Sequence, residues 1–82
     1  MEYRVIAVKV SDREGVAQDM QKILTEHGCL IKVRLGLHDV PANACSPAGL
    51  VLMEVDGDEA EIGTLVGKLQ ALPEVSAKYL VL

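Results

Sequence analysis

The most constraining feature of this chain is a strand pattern that runs directly into a helix pattern and occurs twice in 82 residues. In the first half, residues 3–10 are rich in β-branched side chains, and alternation gives them one apolar face of Ile6, Val8 and Val10. Ser11 then fits the N-cap of a helix, because Glu14 follows three residues later in the capping-box position. The pattern predicts a strand, a short turn and a helix.

Both predicted helices carry a single apolar stripe. The first stripe recurs at helical spacing and consists of Val16, Met20, Ile23, Leu24 and His27. Gly28 is expected to end this helix in a left-handed conformation. The second helix is expected to begin after Asp58 as its N-cap, with Glu61 in the capping-box position, and to end at Leu72-Pro73. Its stripe consists of Ile62, Leu65, Val66 and Leu69.

Three further strands are predicted over residues 30–38, 49–55 and 74–82. The second strand alternates, and we expect its more apolar set to face the helices: Ile31, Val33, Leu35 and Leu37. Its other set would face away: Lys32, Arg34, Gly36 and His38. In the third strand we expect Val51, Met53 and Val55 to face the helices. Residues 39–48 read as a loop with two prolines, which is long for a hairpin connection.

The order of elements predicts an α+β fold, a ferredoxin-like βαββαβ sandwich in one domain over residues 1–82, with two helices on one face of a four-stranded antiparallel sheet. By parity, the other face holds aliphatic and charged residues: Val5, Ala7, Leu50, Leu52, Lys32, Arg34 and Glu54. Such a face would be a sizeable apolar patch on a monomer. We therefore expect a second copy to cover it, in a homodimer or homotetramer; the alternative is a partly apolar face left exposed.

Composition excludes several functions. The formal net charge is −4, the 8 Lys and Arg residues form no basic run, and only two aromatic residues are present, so no nucleic-acid surface is expected. No apolar run reaches the ~18 residues of a membrane span, and the N-terminus does not resemble an export signal. We expect a cytoplasmic protein with reduced Cys29 and Cys45. No catalytic motif stands out, which favours a non-enzymatic role.

The segment Val10-Ser11-Asp12-Arg13-Glu14-Gly15-Val16 resembles the opening of an ACT domain, although Glu14 stands where that family usually has proline. The segment His27-Gly28-Cys29-Leu30-Ile31 resembles the family's exit from the first helix into the second strand. The resemblance implies a regulatory module that pairs through its sheet and binds a small, amino-acid-like ligand at the subunit interface.

The second half is similar to small ACT-like proteins that are proposed regulators of iron-only hydrogenase systems. The residues that carry this similarity are Arg34-Leu35-Gly36-Leu37, the segment 56–69 and Leu72-Pro73-Glu74-Val75. More distantly, the chain resembles the C-terminal metal-binding domain of nickel-responsive repressors. The nickel-binding pattern of those repressors is not preserved, and only His38 and Cys45 remain near the corresponding places.

Two candidate sites follow. Ser11, Asp12, Arg13 and Gly15 are predicted to bind a ligand, because a glycine at a helix start lets an anion approach the exposed N–H groups; the alternative is a plain capping turn. His38 and Cys45 could hold a transition metal such as Ni or Zn, with a partner copy completing the site. The alternative there is a surface histidine and an unreactive cysteine. His27 and Cys29 are expected to be structural.

Overall fold

The computed structural model describes residues 1–11, 13–38 and 49–82, and within these ranges leaves out the side chains of 13–15, 17, 37 and 38. The strands are β1 (Arg4–Val10), β2 (Ile31–His38), β3 (Gly49–Val55) and β4 (Val75–Val81), and the helices are α1 (Arg13–Glu26) and α2 (Glu59–Gln70). The strands form one antiparallel sheet in the order β2-β3-β1-β4. The ferredoxin-like sandwich is thereby confirmed.

The core lies between the sheet and the two helices, and it is entirely apolar among the described residues. The face of β1 predicted to be apolar is buried, with its side chains at most 1% exposed. The α2 stripe is buried in the same core. Asp58 is the N-cap of α2, and its carboxylate accepts a hydrogen bond from the backbone N–H of Ala60 at 3.1 Å. The buried residues are Ile6, Val8, Val10, Val16, Met20, Leu24, Leu30, Met53, Val55, Ile62, Leu65, Val66, Leu69 and Ala77.

The predicted facing of β2 is wrong, and a β-bulge is the reason. Ile31 pairs with Val55, but Val33 already pairs with Glu54, so Lys32 is an extra residue in the ladder. Because side chains alternate along a strand, one extra residue moves every later side chain to the other face. Val33 and Leu35 therefore lie on the face away from the helices, where they are 55% and 52% exposed.

Arg34 moves in the opposite direction. It pairs with the buried Met53, and its Nη1 donates a hydrogen bond to Oε1 of Gln21 on α1 at 2.9 Å. Its predicted place on the face away from the helices is therefore wrong. Gly36 pairs with Val51 and lies on the helix face for the same reason. His38 lies in the same register row as Gly49 and Val10.

The predicted N-cap at Ser11 stays a prediction, because α1 is described from Arg13 and Asp12 lies outside the described residues. The predicted end of α1 differs from the structure. Gly28 does not adopt the left-handed conformation; it opens a 3₁₀ turn, Gly28–Leu30, that leads into β2. That turn buries Leu30 in the core.

A polar cluster fixes the start of α2 to the sheet. Arg4 on β1 lies 2.7 Å from Glu59 through its Nε, and the Tyr79 hydroxyl on β4 donates to the same carboxylate at 2.9 Å. These hydrogen bonds, that from Arg4 first, lower the pKa of Glu59. Partial burial and then the hydrogen bond to Glu59 raise the pKa of Tyr79. Arg4 and Glu59 are 55 positions apart in the sequence, and Glu59 and Tyr79 are 20 apart.

Candidate functional site

The sheet surface away from the helices exposes several large apolar side chains, among them Val33, Leu35, Leu50 and Leu80. Register defines its members, because residues directly opposite each other in antiparallel strands share a face. One row is Val33, Glu54, Val5 and Leu80; the next is Leu35, Leu52, Ala7 and Lys78; the third includes Leu50, Lys9 and Ser76. We call these residues the open sheet face.

The bulge at Lys32 makes the open sheet face more apolar than the sequence indicates. It brings Val33 and Leu35 onto this surface and takes Arg34 off it. The side chain of Lys32 forms an ion pair with Glu54, with 3.9 Å between Nζ and Oε2. Near the middle of the face, Leu52 and Ala7 are directly opposite each other and only half-buried. The result is a continuous aliphatic surface across three strands, flanked by a few charges.

The predicted ligand-binding turn lies at the end of β1 where α1 begins. Ser11 is exposed, and its backbone N–H donates to the carbonyl of Glu74 at 2.8 Å, which ties the turn to the start of β4. Arg13 and Gly15 lie in the first turn of α1, where backbone N–H groups have no partner within the helix. Asp12 lies outside the described residues. The backbone thus brings Ser11, Arg13 and Gly15 to one end of the sheet.

The predicted metal ligands fall largely outside the described residues. His38 is the last residue of β2 and pairs with Gly49, but its side chain is not described, and Cys45 lies in the segment 39–48. Elsewhere in the described chain, no three His, Cys, Asp or Glu side chains come together closely enough to hold a metal ion. The site of His38 and Cys45 stays a prediction.

A groove of about 260 Å³ lies between the end of α1, the 3₁₀ turn and α2. Its walls combine carboxylates, an imidazole, a thiol and a hydroxyl: Glu26, His27, Cys29, Leu30, Glu61 and Thr64. Lys68 lies 3.3 Å from Oε2 of Glu26 and 3.1 Å from Nε2 of His27. His27 and Lys68 thus join the ends of the two helices, in keeping with the structural role expected of His27.

Sequence reasoning did not find this groove. The spacing of His27 fits the apolar stripe of α1, and a structural role is predicted for Cys29, whose side chain is exposed. The only available signal is the spacing of Glu61 and Thr64, which places them on one side of α2. Their proximity to His27 depends on how the two helices pack.

These features define the class of the protein. It is a small ferredoxin-like βαββαβ domain whose sheet face away from the helices is uncovered in the part that the structure describes. No helix over the described residues is long and apolar enough to cross a membrane.

The sequence comparison identifies the family. Residues 2–79 match the TM1266-like family, which is described as a proposed iron-only hydrogenase system regulator. The match spans nearly the whole chain, so the chain belongs to this family. No curated protein matches the sequence.

Solved structures agree with the fold. The uncharacterized protein TM1266 from Thermotoga maritima is 23% identical, with a TM-score of 0.82 over 100% of this chain and 99% of that one. A nitrogen regulatory PII-like protein from Thiomonas intermedia K12, bound to ADP, AMP and bicarbonate, is 12% identical, with a TM-score of 0.60 over 100% and 93%.

A formyltetrahydrofolate deformylase from Pseudomonas putida KT2440 is 13% identical and has a TM-score of 0.60; 95% of this chain matches 28% of that one. The fold therefore also occurs as one part of a longer enzyme. The structural identities are low and show the fold alone. These comparisons give no support to the resemblance to nickel-responsive repressors.

Proposed function

We propose that this chain is a non-enzymatic regulatory domain that works as a homo-oligomer, a homodimer or homotetramer formed through its sheet, and changes its assembly when a small anionic ligand binds. Residues 1–82 would form this one ACT-like domain. The family description supports the regulatory role. The observation that carries the proposal is the open sheet face, since an aliphatic surface of this extent on a small protein marks an interaction site.

The proposed ligand is an amino acid, bound through its carboxylate at the start of α1. The unpaired N–H groups of the first helical turn and the helix dipole favour an anion there, and Gly15 offers no side chain to block it. Ser11 and Arg13 are the other described members of the proposed site, and a hydroxyl and a guanidinium are groups that can bind a carboxylate. The turn follows Lys9 of the open sheet face by only two residues, so a ligand there lies near the edge of the proposed subunit interface.

An adenine nucleotide is the second candidate ligand. A phosphate uses the same helix-terminus chemistry as a carboxylate. The PII-like protein of similar fold that is bound to ADP and AMP supports including nucleotides.

Isothermal titration calorimetry against the twenty amino acids, AMP and ADP tests the proposal, with sedimentation velocity on each positive sample. Linkage requires that a ligand bound at the interface change the association constant, because it binds the two assembly states with different affinity. Arg13→Ala should weaken binding, whereas Lys22→Ala, which removes the same charge type from an exposed part of α1, should not. Absence of binding to every one of these compounds would contradict the ligand proposal.

A further inference from the structure

The open sheet face has a charge pattern that specifies how two copies would meet. Lys9 and Glu54 are its charged residues on the two central strands, and Leu52 and Ala7 form the row between them. In register, Lys9 is opposite Leu50 and Glu54 is opposite Val5. The two charges are therefore four residues apart along the strands, about 13 Å at ~3.3 Å per residue. They cannot pair within one copy.

Covering this face would remove both charges from water. Glu54 has Lys32 at 3.9 Å, whereas Lys9 has no ion pair among the described residues. A charge buried at an interface without a partner is costly. The most favourable arrangement of two copies therefore gives Lys9 an acidic partner.

We infer that two copies of this chain pack their open sheet faces together about a two-fold axis that runs across the strands, so that Glu54 of each copy pairs with Lys9 of the other. This inference rests on the proposed function. An axis across the strands reverses the strand direction and places the row of Val5 and Glu54 over the partner's row of Lys9 and Leu50. Two-fold symmetry then forms the ion pair twice.

The alternative axis, parallel to the strands, keeps each row over itself. Lys9 would then lie over Leu50 of the partner subunit, and Glu54 over Val5 of the partner subunit, so that both charges would be buried against aliphatic side chains. Stacked sheets lie ~10 Å apart. With the first axis each strand lies over its own copy, so Glu54 and Lys9 of the partner subunit are also offset sideways by one strand spacing, ~4.8 Å. The combined length of a lysine and a glutamate side chain can span this offset and the gap, so the first axis gives both charges a partner.

The middle of the face supports the same arrangement. The row of Leu35, Leu52 and Ala7 would pack on its own copy across the axis, which forms an aliphatic centre. Lys78, at the end of that row, lies on the edge strand β4, where its ammonium group can stay in water. This pattern of an apolar centre and a charged rim is typical of protein interfaces.

The size of the face sets the strength of the assembly. Four strands at ~4.8 Å and seven residues at ~3.3 Å give a footprint of roughly 19 by 23 Å, about 440 Å². A standard interface buries about 800 Å² per partner. The face alone should therefore give a reversible dimer whose population depends on protein concentration.

Charge reversal tests the orientation. Lys9→Glu and Glu54→Lys should each raise the dissociation constant, measured by sedimentation equilibrium, by about 2- to 30-fold or more, since two equivalent ion pairs are lost. The double variant should restore most of the affinity. Lys78→Glu, with the same charge change at the edge of the same face, is the control and should not weaken the dimer.

Thermal unfolding of each variant separates assembly from folding, because Glu54→Lys also removes the pair with Lys32. If a reversed variant does not fold, Lys9→Gln and Glu54→Gln replace it, and the double Gln variant should then weaken the dimer no more than either single one. If none of these substitutions changes the dissociation constant of the dimer, the proposed orientation is wrong, and the proposed function is unaffected. A protein that stays monomeric overturns the orientation and the assembly together.

Discussion

Gly57 offers a sharp test of how the chain packs between β3 and α2. Its φ is +143°, a backbone conformation that side chains of L-residues rarely adopt, and a Cβ at this position would lie 2.6 Å from Cδ2 of the buried Leu30. Gly57→Ala therefore adds backbone strain of ~1–3 kcal/mol and overpacks the core, partly relieved by movement of Leu30. We expect a net loss of about 2–4 kcal/mol in the free energy of unfolding.

That loss is large for this chain. A domain of 82 residues has a total stability of roughly 4–12 kcal/mol. At ~4–8 °C per kcal/mol, Gly57→Ala should lower Tm by roughly 8–32 °C, measured by circular dichroism. Gly63→Ala is the matched control: Gly63 lies in α2 with open space around a Cβ, so the same methyl group should stabilise the helix by up to about 1 kcal/mol. Equal effects of the two substitutions would refute the close approach of Leu30.

Three further predictions concern acid stability, capping and metal. The lowered pKa of Glu59 means that its carboxylate stabilises the fold above its ordinary pKa and loses this contribution as pH falls through its folded pKa; Glu59→Gln should therefore flatten the fall of stability in acid, and Glu61→Gln should not. Asp58→Ala should cost about 1 kcal/mol in urea unfolding, because it removes the hydrogen bond to the N–H of Ala60. If the metal hypothesis is right, protein purified without a histidine tag should contain near-stoichiometric Ni or Zn by mass spectrometry and lose it in Cys45→Ser; metal-free protein would refute it.

The order of strands and helices could be predicted because it depends on local periodicity. The stripes of α1 and α2 and the alternation of β1 and β3 each predict one buried face, and all of these residues except His27 lie in the core or pack against it. The cap at Asp58 is local as well, and it is confirmed. The predicted left-handed stop at Gly28 is equally local, but it is wrong, because the chain forms a 3₁₀ turn there.

The facing of β2 could not be predicted, because alternation alone does not reveal a bulge. Lys32 is an ordinary strand residue in sequence, and only its place opposite the Glu54–Val55 step makes it the extra one. Apolar alternation in this strand favours burial of Val33 and Leu35, yet the ladder exposes them. The composition of the open sheet face therefore depends on tertiary pairing.

The groove and the cluster at Glu59 depend on contacts far apart in sequence. His27 and Lys68 are 41 positions apart, and Arg4 and Glu59 are 55 apart. Periodicity places each residue on a helix or strand but does not choose its partner. The proposed ligand-binding residues Ser11, Asp12, Arg13 and Gly15 rest on a family resemblance and a helix start, and calorimetry tests their role.

Sedimentation velocity of the unmodified protein from micromolar to millimolar concentration is the most direct measurement of the central claim. If a second copy covers the open sheet face, the weight-average mass should rise with concentration from one chain towards two or four. Leu52→Lys, at the centre of that face, should keep the weight-average mass at one chain at all concentrations. Thr64→Lys, on the exposed side of α2, should leave the rise in mass unchanged. A single-chain mass across the whole range would contradict the account.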